Sequence, residues 1–136
     1  DIKIVAGGKD INFSGKYPGI LEETYLAMKK EKPVFLIGGF GGATKKIIDI
    51  LQGNISEVFS LKNQLQNPEF KKLYEYYESI GEKEEIDYEK INLFLKAKGI
   101  EGLNNGLSIE ENITLFESAN LYEIVSLIIK GINNIK

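Results

Sequence analysis

The chain of 136 residues carries 17 basic and 20 acidic side chains, a net charge of −3, with no histidine and no cysteine, and every basic residue is a lysine. This excludes a Ser-His-Asp triad, a cysteine nucleophile and a Cys/His zinc site, as well as the bidentate arginine fork commonly used for carboxylate and phosphate. Any chemistry falls to carboxylates, lysine, tyrosine, hydroxyls or the backbone.

Lysines dispersed along an acidic chain argue against a nucleic-acid surface. No apolar run approaches a membrane span, and no signal peptide is visible. The expectation is a soluble, cytoplasmic domain with neither nucleic acid nor membrane as partner, and with no cofactor or metal. By length it is a single domain, 1–136. It begins at Asp1 with a run that reads as a buried strand. A piece of a longer protein, lacking upstream strands, is therefore expected.

In chain order, Ile2 to Ala6 reads as a short strand ending at Gly7-Gly8. A polar loop from Lys9 to Tyr17 follows, and Pro18 suits the first position of a helix. Leu21, Tyr25 and Met28 recur on one face of that helix, with Glu22 and Glu23 at its dipole-favoured start. Pro33 then precedes Val34 to Ile37, a wholly apolar run that suits a strand covered on both faces. Next come Gly38-Gly39-Phe40-Gly41-Gly42 and a helical pattern of Ala43, Ile47 and Ile50/Leu51. Residues 1–53 thus read as a βαβα core with parallel strands.

From 54 to 136 the pattern turns helical and predicts a cap. Asn67-Pro68 opens a helix bearing Phe70, Leu73/Tyr74, Tyr77 and Ile80, followed by a solvated linker, Glu82 to Glu85. Asp87 opens another helix, which stops at Gly99. Ser108-x-x-Glu111 and Asn120-x-x-Glu123 have the spacing of capping boxes. Tyr74, Tyr76 and Tyr77 read as core and rim rather than as a stacking platform.

Both glycine turns fall at carboxyl ends of strands, where α/β sheets bind ligands. The amides of a helix start can hold phosphate there, and glycine lets it approach the backbone. Lys9, Lys16 and Lys45 could add charge, and Tyr17 or Phe40 could stack on a base. The same residues also suit tight turns that bind nothing, with acids that only complement a helix dipole.

Gly7-Gly8, Pro18-Gly19-Ile20-Leu21-Glu22-Glu23, Lys32-Pro33-Val34 and Gly39-Phe40-Gly41-Gly42 together resemble the SLOG superfamily. That group joins the DprA/SMF proteins with the LOG-type phosphoribohydrolases. The nearest likeness is to its sensor-type branch, found beside sirtuin and TIR enzymes in bacterial anti-phage systems. A weaker likeness extends over Asn105 to Asn112 and the last helix. The resemblance implies a Rossmann-like α/β fold that binds a nucleotide-derived signal, such as an ADP-ribose or cyclic ADP-ribose-like molecule. It further implies an effector domain in the same or a neighbouring chain, and a homo-oligomer.

The ligand-binding residues it implies are Gly7, Gly8, Lys9, Pro18, Gly19, Glu22, Glu23, Gly38, Gly39, Phe40, Gly41 and Gly42. Against the LOG signature P-G-G-x-G-T-x-x-E, Gly19 to Glu23 keeps the spacing from glycine to acid. Glu23 then takes the glutamate's place, Ile20 replaces the threonine, and Gly7-Gly8 is displaced by the Lys9 to Tyr17 insertion. An N-glycosidase using Glu23 is the alternative activity.

Overall fold

The computed structural model describes residues 1–82 and 86–136; Lys83 to Glu85, within the acidic linker, lie outside the described residues. Strands β1 (Lys3–Ala6) and β2 (Val34–Ile37) alternate with helices α1 (Gly19–Lys29) and α2 (Gly42–Leu51). They pair in parallel, Lys3 opposite Val34 through Ala6 opposite Ile37, as two βα units require. Among the described residues, every element after α2 is helical: α3 (Leu61–Gln64), α4 (Pro68–Ser79), α5 (Tyr88–Lys98), a 3-10 turn (Ile100–Leu103), α6 (Ile109–Glu117) and α7 (Leu121–Asn134). The expected α/β class and helical second half hold. No strand forms among the described residues after Ile37.

The two-stranded sheet separates two cores. Val5, Val34 and Leu36 face a large cluster with Leu21 and Met28 of α1, Ile47 and Ile48 of α2, and Ile91 and Leu95 of α5. Phe35 and Ile37 face the other way, against Leu115 of α6 and Ile124 of α7. Strand β2 is therefore buried on both faces, as its sequence predicts.

One expectation about the strands needs correction. β1 is only half-buried: Val5 is 2% exposed, but Ile4 is 51% exposed. Its register partner Phe35 is covered by α6 and α7, which do not extend over β1. Among the described residues, β2 carries a strand on one edge alone. Pro33 sends its carbonyl to the Lys3 amide, so the next carbonyl, that of Val34, points to the opposite edge. There it accepts a 2.9 Å bond from Asn105 Nδ2. A side-chain amide takes the place of a neighbouring strand.

Helix boundaries follow the predicted caps. Asn67 Oδ1 accepts from the Glu69 and Phe70 amides, Asp87 Oδ1 from that of Lys90. Ser108 and Glu111 close a reciprocal capping box. Asn120 caps α7 by itself, through the Tyr122 and Glu123 amides. Pro18 sits one place earlier than expected, as the N-cap of α1.

The loop from Lys9 to Tyr17 is bound to the second half of the chain. Gln64 Nε2 donates to the Asp10 carbonyl, and Asn67 Nδ2 to Asn12 Oδ1. Phe13, Phe70, Tyr88 and Tyr17 form a chain of edge-to-face rings, Tyr17 to Tyr88 at 5.0 Å. The helical cap is therefore continuous with the core.

Candidate functional site

The geometry brings the two glycine turns together at the carboxyl end of the sheet. The Gly8 carbonyl accepts from the Ala43 amide at 3.0 Å, and the Gly7 carbonyl from the Thr44 amide at 2.9 Å. Thr44 Oγ1 also donates to the Gly7 carbonyl, at 2.9 Å. Two donors of the first turn of α2, which the sequence offered to an anion, are thus used to join the turns. Among the described residues, no bond engages the amides of Gly39, Phe40 or Gly42, all three exposed. These remain available at a helix N-terminus, where partial positive charge favours an anion.

Glycine is needed here for packing as well. A Cβ on Gly42 would stand 2.5 Å from the Gly8 carbonyl oxygen, and its φ of +66° is in the left-handed region. A Cβ on Gly39 would stand 2.0 Å from the Ser118 carbonyl, at the α6–α7 junction. Gly38 meets the Phe116 carbonyl in the same way. On the other side of the join, Gly8 lies against Ile20. Pro18 is buried, while Gly19 and Lys9 are exposed.

The aromatic candidates separate clearly. Tyr17 Oη accepts from the Asp87 amide at 2.7 Å, and its ring packs on Tyr88. Burial raises the pKa of both phenols, the larger cause for each. Tyr17 is thus a structural strut. Phe40 is 52% exposed at the tip of the second turn. Tyr76 and Tyr77 of α4 meet edge to face at 5.8 Å, Tyr77 partly buried against the core and Tyr76 exposed.

The charged candidates are less concentrated. Glu22 is exposed in the first turn of α1. Glu23, one residue on, is ion-paired with Lys3 at the far end of β1 from Gly7. With Lys3, Lys30 and Lys32 it lines a shallow recess of about 440 Å³ along the outer edge of β1. The structure does not gather Glu23 with the glycine turns. Lys16 lies over the Tyr77 ring at 4.7 Å, and Lys45 pairs with Asp49 at 3.4 Å. Among the described residues, no three acids cluster so as to hold a metal ion.

The LOG spacing also fits a second register. Gly38-Gly39-Phe40-Gly41 supplies G-G-x-G at a strand end, and the acid's position then falls on Lys45. The signal was the strand-to-helix context of those glycines, which the structure makes plain.

A βαβα unit with glycine turns meeting at the carboxyl ends of parallel strands is the arrangement by which α/β proteins hold nucleotides. A family model described as SLOG cluster2 matches residues 1–115. The chain belongs to the SLOG family, a membership that suggests a nucleotide-related function. No curated protein and no solved structure matches the chain. The match stops short of α7, which begins at Leu121. Among the described residues, no helix is long and apolar enough to cross a membrane.

Proposed function

We propose that the chain is a sensor domain that binds a nucleotide-derived signal, of the ADP-ribose or cyclic ADP-ribose type, across the joined glycine turns. The observation that carries this reading is the set of unengaged amides at Gly39, Phe40 and Gly42, at the start of α2. A phosphate bound there would complete the hydrogen bonding of the turn. Lys9 is a nearby lysine for which no described partner competes, and Glu22, exposed in the first turn of α1, would accept from a ribose hydroxyl.

Support for signalling comes from what the turn touches. Gly38 and Gly39 abut the Phe116 and Ser118 carbonyls, at the junction leading into α7. The outer side of α7 exposes Leu121, Tyr122, Val125 and Ile129, with Tyr122 90% exposed. Such a patch is characteristic of interaction surfaces. A ligand at the turn would thereby alter how α7 meets another subunit or an effector domain, in the same or a neighbouring chain. A homo-oligomer in the bacterial cytoplasm, regulating an anti-phage effector, is the setting this reading carries.

Thermal shift and calorimetry against NAD, ADP-ribose, cyclic ADP-ribose isomers and nucleoside monophosphates test the proposal. Saturable binding by at least one, with a change in elution volume on a sizing column, is expected. Chromatography of the same mixtures checks for released base, which would turn the reading toward an N-glycosidase. Absence of binding at millimolar concentration by every compound would refute the sensor reading.

A further inference from the structure

We infer that Phe40 is a stacking platform that makes the glycine-turn site selective for ligands carrying an aromatic base over sugar phosphates. The inference rests on the reading of that site given above and names what the site selects. Two aromatic side chains flank the turns, and only one is available. Tyr17 is held by its hydroxyl and by the Tyr88 ring. Phe40 has no ring partner and no cation over its face among the described residues, and half its surface is exposed.

Its position gives that exposure a direction. Phe40 lies between Gly39 and Gly41, so no neighbouring side chain on the turn shields the ring. Its own amide and those of Gly39 and Gly42 form the anion-binding part of the site. A phosphate on those amides and a base on the ring are thus within one small ligand's reach. An apolar ring kept in water at this place gains by covering its face, and a base offers a π-face at little ordering cost. Stacking of this kind changes affinity by about 5- to 150-fold per base.

The chain has no tryptophan, so Phe40→Trp provides a single tryptophan on the proposed platform, excited selectively at the red edge where the tyrosines do not absorb. AMP and ADP-ribose should quench its emission saturably, while ribose 5-phosphate should not. In parallel, Phe40→Leu should stay close to the wild-type melting temperature, since the side chain is half exposed and an apolar residue remains at the position. It should lower affinity for AMP roughly tenfold or more, with Phe40→Trp retaining it. Unquenched emission with AMP bound, or an unchanged AMP affinity in Phe40→Leu, would overturn the platform and leave the site reading standing. A change of Phe40→Leu confined to elution volume would do the same and assign the ring to a subunit contact. Wild-type protein that binds neither AMP nor ADP-ribose would overturn the site reading, and the platform with it.

Discussion

Asn105 and Asn112 exchange amide hydrogen bonds inside the protein, Asn105 Nδ2 to Asn112 Oδ1 at 2.7 Å and Asn112 Nδ2 to Asn105 Oδ1 at 3.3 Å. Each is 2% exposed. Asn105 also donates to the Val34 carbonyl at 2.9 Å, and Asn112 to the Leu107 and Ser108 carbonyls. One polar network therefore closes the outer edge of β2 and fixes the start of α6. Buried networks of this type stabilise when every member is satisfied.

Removing one partner breaks the exchange but does not empty the network. In Asn112→Leu, Asn105 keeps the Val34 carbonyl and the Leu107 amide, and the Ser108 carbonyl keeps the backbone amide of residue 112, so the Leu107 carbonyl is the group that loses its donor. A loss of about 1–3 kcal/mol is expected, the usual cost of one unmet buried group. Urea denaturation followed by circular dichroism measures it; a loss below the scatter of surface variants would show that the network is dispensable.

Glu111 couples α6 to α7. Its carboxylate closes the capping box with Ser108 and pairs with Lys130 of α7. The Lys130 ammonium is the larger cause, and the Ser108 amide the next, of a pKa lowered below the ordinary glutamate range. The folded state thus binds this proton less readily than the unfolded chain does. The stabilisation is present above the unfolded value of about 4.3 and is lost as pH falls through the lower folded value. Glu111→Gln should flatten this part of the acid limb in a plot of denaturation midpoint against pH. An unaltered limb would assign the dependence to other carboxylates.

The glycine turns can be tested for folding apart from ligand. Gly42→Val adds a branched side chain 2.5 Å from the Gly8 carbonyl oxygen and should lower stability by several kcal/mol, or prevent folding. Gly41→Ala meets open space but is held at φ +69°, so the expected cost is about 1–3 kcal/mol of backbone strain alone. Melting curves giving the reverse order would show that the join between the turns is not what holds α2 in place.

The two acids of α1 should differ in their effect on nucleotide affinity. Glu22→Gln should weaken binding by about 1–3 kcal/mol, the scale for a charge-assisted hydrogen bond. Glu23→Gln should weaken it less, because Lys3 already engages that carboxylate. Spacing against the family signature predicts the opposite order. Titration calorimetry of both variants with ADP-ribose distinguishes them.

Local pattern alone determined much of this protein. The apolar run of β2, the caps at Asn67, Asp87 and Ser108, and the glycine turns after each strand are short-range features, set by propensity and by unsatisfied helix ends. They placed every element but the brief α3 and the 3-10 turn. Tertiary structure decided what those elements meet. No periodicity shows that Asn105 caps a strand 71 residues away, or that the Gly7 and Gly8 carbonyls take two of α2's amides. Nor does composition separate Tyr17, held by Asp87 and Tyr88, from the exposed Phe40. These relations depend on atoms distant in sequence coming within bonding distance. That follows only once the two cores close around the sheet, because side chains and carbonyls then lose water and must find each other.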